Sequence, residues 1–292
     1  MKLSFTRLLL FCGLMTGAGL AQAQTLSHYP AGVEGIKGAS LPPPGVYFRD
    51  YNYIYFADYL KNGPPKFDLV AYVQAPRLIW ITGHKVLGGF YGMDAIVPFA
   101  YQNLDMTGFS GSDFSLGDIF IEPITLSWHG TQFDASFGYG IWTPSGDYSP
   151  TDPVAPGKGF LTHMLTGGFT VYPDKEKTWS FSALSRYEFS HESEKTKITP
   201  GQYFTLEWGL GKSVTKTIEV GFTGYVQAQT SKASGLGAST GKDHVAAFGP
   251  EITMACPKLG LATSIRYLRE AGASGRPEGN TLNITFTRRL GP

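Results

Sequence analysis

Tyr203-Phe204-Thr205-Leu206-Glu207-Trp208-Gly209-Leu210 is followed, after a short turn, by Ile218-Glu219-Val220-Gly221-Phe222-Thr223-Gly224-Tyr225-Val226-Gln227-Ala228-Gln229. Both stretches alternate apolar residues with polar or small ones. Side chains alternate across an extended strand, so each stretch has one apolar and one polar face. Upstream, Trp179, Phe181, Ala183, Tyr187 and Phe189 oppose Ser180, Ser182, Arg186 and Glu188. At the C-terminal end, Leu282, Ile284 and Phe286 oppose Asn283, Thr285 and Thr287. A soluble sandwich would produce the same alternation, so the connections have to decide.

Read outward from these strands, the pattern predicts strands near 45–57, 67–82, 86–101, 115–128, 131–142, 160–172, 178–190, 202–212, 217–229, 245–255, 258–269 and 280–289. The connections then fall at 58–66, 83–85, 102–114, 129–130, 143–159, 173–177, 191–201, 213–216, 230–244, 256–257 and 270–279. They run long, short, long, short. A barrel standing in a bacterial outer membrane has tight turns on the periplasmic side, free loops on the other and an even strand number. In lipid every backbone N–H and C=O must be paired, and only closure removes the sheet's edges. The expectation is therefore all-β: a closed antiparallel up-and-down transmembrane β-barrel of about twelve strands over residues 44–292.

Composition and the N-terminus agree. Lys2 and Arg7 precede an apolar run, Leu8-Leu9-Leu10-Phe11-Cys12-Gly13-Leu14-Met15, and Ala21-Gln22-Ala23 follows. A basic head, a short apolar run and an A-x-A site predict a secretory signal peptide over 1–23, cleaved near Ala23. Cleavage leaves Cys256 alone, so no intrachain disulfide holds the exported protein. Charged residues make up 16% of the chain and aromatics 14%, against about 25% charged in an ordinary soluble domain. Net charge is +1, which gives no nucleic-acid footprint. Residues 24–43 show no period and end in Pro42-Pro43-Pro44, which lack the donors a sheet interior needs. They are read as a segment that either hangs in the periplasm or tucks into the barrel as a plug.

Several strings carry a resemblance: Leu41-Pro42-Pro43-Pro44-Gly45-Val46-Tyr47, Arg77-Leu78-Ile79-Trp80-Ile81-Thr82 and Leu87-Gly88-Gly89-Phe90-Tyr91-Gly92. Leu116-Gly117-Asp118, Pro144-Ser145-Gly146-Asp147-Tyr148 and Phe248-Gly249-Pro250-Glu251 add to it. From about residue 40 onward the chain resembles the bacterial family labelled as involved in the meta-pathway of phenol degradation. The resemblance implies an outer-membrane transporter barrel associated with the breakdown of aromatic or other apolar compounds, with no catalytic set to carry over.

The polar strand faces supply the candidate lumen residues Asp118, Glu122, Asp134, Arg186, Glu188, Glu207, Glu219, Gln227, Gln229, Glu251 and Arg266. Charge is costly toward lipid and tolerable toward a wet lumen, so these side chains are expected to point inward. There they form either an electrostatic filter along a pore or a salt-bridged filling. Tyr51, Tyr53, Tyr55, Tyr72, Trp80, Trp128, Trp142, Tyr172, Trp179 and Trp208 near strand ends suit an interfacial girdle, or a greasy slide where they face inward. Pro76, Pro98, Pro123 and Pro250 each remove a ladder donor and mark either a lateral exit for an apolar cargo or simple bulges.

The expected function is passive uptake of small apolar or aromatic solutes, with connections 102–114, 143–159 and 230–244 as the outer gate, outer-membrane lipid as surroundings and no cofactor. A plugged structural or surface-interaction barrel is the alternative. A lipid hydrolase is a third reading, resting on His191 and Ser193 sharing a face, but no third group orients the base. His84, His129, His163, His191 and His244 have no metal-ligand spacing.

Overall fold

The strand faces predicted to be apolar point out of the wall and the polar faces point in. The computed structural model describes residues 27–291; the expected signal peptide lies outside them. Fourteen strand segments follow one another: β1 (Gly45–Leu60), β2 (Phe67–Val86), β3 (Gly89–Ile96), β4 (Phe99–Met106), β5 (Phe109–Leu116), β6 (Phe120–His129) and β7 (Phe133–Trp142). Then come β8 (Thr162–Val171), β9 (Trp179–Ser190), β10 (Tyr203–Ser213), β11 (Ile218–Gln229), β12 (His244–Cys256), β13 (Leu261–Ser274) and β14 (Pro277–Gly291). β3 and β4 are halves of one stave interrupted at Val97-Pro98, and β5 and β6 are halves of another interrupted at 117–119. That leaves twelve staves. All pair antiparallel with their neighbours, and β1 closes the ring by pairing with both β14 and β2.

Alternation is strict where it was read. On β11 the outward Phe222 is 59% exposed, whereas the inward Tyr225 and Gln227 are 1% exposed. One end of the barrel carries the short turns 87–88, 130–132, 172–178, 214–217 and 257–260, the last built on a 3-10 turn at Pro257–Leu259. The other end carries 61–66, 143–161, 191–202 and 230–243. These are called the turn end and the loop end below.

Three expected connections are strand, the shortest being 83–85, which lies within β2 while the turn falls at 87–88. Residues 102–114 form most of the β4–β5 hairpin, paired from Phe99↔Leu116 to Met106↔Phe109 around a turn at 107–108. Beyond Tyr101 the outward face becomes Asn103 and Asp105, opposite Ser110 and Ser112, so the apolar half of the pattern disappears although the ladder continues. Residues 270–279 are likewise mostly strand, with only 275–276 between β13 and β14. Glu270 points inward there, accepting from the Tyr55 and Tyr225 hydroxyls and the Gly279 N–H.

The prolines fall unevenly. Pro76 and Pro98 sit together where β2 hands over from β4 to β3; between Gln74↔Phe99 and Arg77↔Ile96 the register holds and the Val97 N–H donates to Pro76 O at 3.1 Å, while the two prolines supply no donor. Pro123 lies in a bulge between Ile121 and Ile124 on β6. Above this region β5 pairs only with β4, and its last carbonyl, on Leu116, accepts from the N–H of loop residue Asp147. Pro250 is isolated on β12, where the ladder to β13 likewise skips from Phe248↔Arg269 to Glu251↔Arg266 without a register shift.

Candidate functional site: the lumen and the segment inside it

Residues 27–44 run through the inside of the barrel, from Pro44 beside the turn end to Ser27 near the loop-end termini of β9 and β11. An irregular chain has no ladder to satisfy its backbone, so the wall has to supply partners. Carboxylates do this. Glu188 accepts from the His28 and Tyr29 N–H groups at 2.9 and 3.1 Å. Glu207 accepts from the Tyr29 hydroxyl at 2.7 Å and from the Gly32 and Glu34 N–H groups at 2.8 and 3.1 Å. Glu251 accepts from the Ile36 N–H at 2.8 Å. The segment's carbonyls find donors as well. Arg266 and Asn283 donate to Gly32 O, Gln227 to Tyr29 O and Ser182 to Gly35 O.

Charge pairs lock these contacts. Arg186 pairs with Glu207 while its guanidinium stacks on the Tyr29 ring. Arg266 grips Glu251 bidentately at 2.7 and 3.0 Å. Lys37 reaches Glu219 at 2.8 Å, and Glu34 binds Arg49 and the Tyr51 hydroxyl. Close approach depends on glycine at one point: a Cβ on Gly209 would lie 2.6 Å from Gly35 O.

His28 extends this lock to the long 143–161 connection. Its Nε2 lies 2.9 Å from Asp118, which also accepts from the Gly146 and Lys158 N–H groups. Burial holds the His28 imidazole below its ordinary value despite the neighbouring carboxylate, so the neutral ring donates to Asp118. Burial also lowers the Lys158 ammonium, against the pull of Asp118 and Glu188.

All eleven candidate lumen residues are buried. Asp118, Arg186, Glu188, Glu207, Glu219, Gln227, Glu251 and Arg266 contact the segment as described. Asp134 accepts from Ser40 of the segment as well as from Tyr172 and His129, whereas Glu122 accepts from Arg77 and Gln229 from the Asp243 N–H. Sequence reading missed Arg77, which binds Asp94 bidentately and reaches Glu122 and Tyr51. It also missed Glu270 and Arg276, and the segment's own Tyr29 and Glu34. An ionisable residue and a tyrosine inside a Gly- and Pro-rich stretch were the available signal. Of the ten aromatics, Tyr51, Tyr53, Tyr55, Trp142 and Tyr172 face inward, while Tyr72, Trp80, Trp128, Trp179 and Trp208 face outward.

Between the segment and the opposite wall lies a cavity of about 380 Å³, lined by Tyr51, Val73, Ala75, Ile96, Ala100, Phe120, Trp142 and Met164 among others. A smaller one of about 180 Å³ lies toward the loop end, beside Tyr55, Leu69, Ala71 and Arg276. Both are bounded by His28, Tyr29, Pro30, Tyr53, Gln102 and Lys158, so they meet at that constriction. The hydrolase pair is not assembled. Ser193 is buried in the turn of the 191–202 connection, while His191 faces outward within 3.0 Å of His163. Among the described residues no three metal-ligating side chains cluster.

No curated protein matches the chain. Among solved structures, the COG4313 outer membrane channel from Pseudomonas putida F1 superposes with a TM-score of 0.76 at 12% identity, over 90% of this chain and 100% of that one. The translocator domain of autotransporter NalP from Neisseria meningitidis gives 0.51 at 10% identity, over 87% and 91%. At these identities the likeness concerns the fold: a closed β-barrel of the outer-membrane type. The model of the family described as "Putative MetA-pathway of phenol degradation" matches residues 52–286, so the chain belongs to that family.

Proposed function

We propose that the protein is an outer-membrane channel through which small apolar or aromatic solutes pass passively, beside a resident segment that narrows the lumen. The observation that carries this is the cavity between residues 28–41 and the barrel wall, whose apolar lining lies mostly on β1–β8 and whose other side is closed by polar residues of β12–β14. Its volume falls in the range of about 300–1,000 Å³ occupied by small-molecule sites. The adjoining loop-end cavity gives solute an entry, and the His28–Lys158 constriction sets the size limit. The printed name of the Pseudomonas putida structure, a channel, supports the reading. In this view the charged lumen residues filter indirectly, by fixing where the segment lies.

The test is flux into liposomes carrying the folded, heat-modifiable protein, comparing a neutral aromatic, a small aromatic acid and a sugar of similar mass. Flux favouring the aromatics is expected. Equal flux of all three would make it a general pore, and none would make it a plugged structural barrel.

A second reading concerns the exit. Pro76, Pro98 and Pro123 gather at the interrupted ladder between β2, β3 and β6, below the singly paired β5. A solute leaving the cavity there enters the bilayer sideways. Pro123→Ala would then lower flux of apolar solutes, and Pro250→Ala, away from the interruption, would not. Unchanged flux in Pro123→Ala would remove the lateral route.

A further inference from the structure

The two ends of the barrel differ in how they handle charge. Lys85, Lys175, Lys177, Lys212, Lys216, Lys258, Arg288 and Arg289 lie at the turn end, against two carboxylates, Asp174 and Glu176. Asp174 is already engaged, accepting from the Thr178 and Trp179 N–H groups and the Thr178 hydroxyl. Among the described residues none of the eight cations forms an ion pair with a carboxylate. At the loop end the signs are mixed: Lys66 pairs with Asp105 and Lys197 with Glu192, and Lys61, Lys195, Lys232 and Lys242, which form no such pair among the described residues, stand among Asp58, Asp68, Asp113, Asp152 and Glu194.

Lys212 sits over the outward Trp179 at 4.8 Å, whereas Lys85, Lys177 and Arg289 lie over the inward rings Phe90, Tyr172 and Tyr47 at 4.7, 4.6 and 6.0 Å, around the mouth of the lumen. Beside them Leu87, Val214, Leu259 and Leu290 project from the turns and the last strand, all more than half exposed. The cations follow the circumference from β2 through β14, β12–β13 and β10–β11 to β8–β9, leaving only the β6–β7 turn without one. A protein partner would need one compact patch. A ring of cations without carboxylate partners, set among apolar tips at the level where the wall meets water, fits a sheet of headgroups; Lys177, Lys212 and Arg289 also donate to neutral protein oxygens.

We propose that the turn-end rim is a binding belt for anionic phospholipid, whose phosphates the Lys and Arg side chains hold while the apolar tips enter the acyl boundary. Only the assignment to the periplasmic leaflet rests on the outer-membrane reading; the lipid chemistry does not depend on transport. Each Lys or Arg near an anionic surface favours it by roughly fivefold.

The test is native mass spectrometry of the full barrel ejected from nanodiscs of equimolar phosphatidylglycerol and phosphatidylcholine, counting retained lipids. Wild type should retain phosphatidylglycerol by about fivefold or more, the effect of a single such cation. The variant Lys175→Gln, Lys212→Gln, Lys216→Gln, Lys258→Gln should approach parity. The loop-end variant Lys61→Gln, Lys66→Gln, Lys232→Gln, Lys242→Gln should keep the preference. Heat modifiability reports that each variant is folded. Parity in wild type would overturn the belt, as would loss in the loop-end variant alone. Displacement of phosphatidylglycerol by soluble poly-glutamate would assign the rim to an acidic protein and also overturn it. Liposome flux is read separately, so failure of the channel reading leaves this result standing.

Discussion

The arc of wall from β9 to β13 and the arc from β1 to β8 obey the same alternation, yet they do opposite things inside. The first presents Glu188, Glu207, Glu219, Glu251 and Arg266 to an irregular segment and is filled by it. The second presents Val73, Ala75, Ile96, Ala100, Phe120 and Met164 beside the Arg77–Glu122 pair and carries most of the apolar lining of a cavity that Glu251, Thr253, Ser264 and Arg266 of the first arc close on the other side. The difference follows from what each arc faces. Backbone without a ladder needs acceptors and donors, and an unpaired buried one costs about 1–3 kcal/mol. A face that meets less of that backbone, with its own charges Arg77, Asp94 and Glu122 paired among themselves, keeps apolar side chains between them, and a largely apolar cavity in a polar-lined barrel is a place for apolar solute.

The sharpest way to break this contrast is Glu207→Ala. It orphans the Tyr29 hydroxyl and the Gly32 and Glu34 N–H groups and leaves Arg186 buried without its partner. Breaking a buried pair from one side costs about 3–5 kcal/mol. The segment should come loose, seen as protease cleavage within 27–41 and a rise in sugar flux.

Gly209→Val tests the same arc by steric means, since even a Cβ meets Gly35 O at 2.6 Å. An overpacking penalty of about 1–3 kcal/mol is expected. Segment protection should fall by less than in Glu207→Ala, with the barrel still heat-modifiable.

Acid gives the smallest effect. His28 titrates below its ordinary value of 6.5 while docked, because it is buried, and at the ordinary value once released. The released state therefore binds more protons, so docking is fully supported above about pH 6.5 and weakens as pH falls toward the docked value. Conductance that rises as pH drops through this window in wild type, and stays flat in His28→Phe, is the expected result.

Much of the wall was legible. Strict alternation on β9–β11 named the inward residues, and loop-length alternation gave the stave number. What failed did so for physical reasons. The β4–β5 hairpin projects beyond the apolar band, so Asn103, Asp105, Ser110 and Ser112 carry no alternation although the backbone is paired. Glu270, which turns inward at the end of β13, looked like loop for the same reason. The segment's place was not legible because its partners lie up to 251 positions away, as with Gly32 and Asn283, and no period records them. Arg77 stood in a string that resembled the family, yet its bond to Asp94 joins different strands and leaves no local mark.

The account stands or falls on the cavity being the route. Ala75→Trp places an indole in it from the β2 side, away from every segment anchor on β9–β13. Flux of a neutral aromatic into liposomes should drop at least tenfold while protease protection of residues 27–41 stays as in wild type. Undiminished aromatic flux with the segment still protected would contradict a path through this cavity.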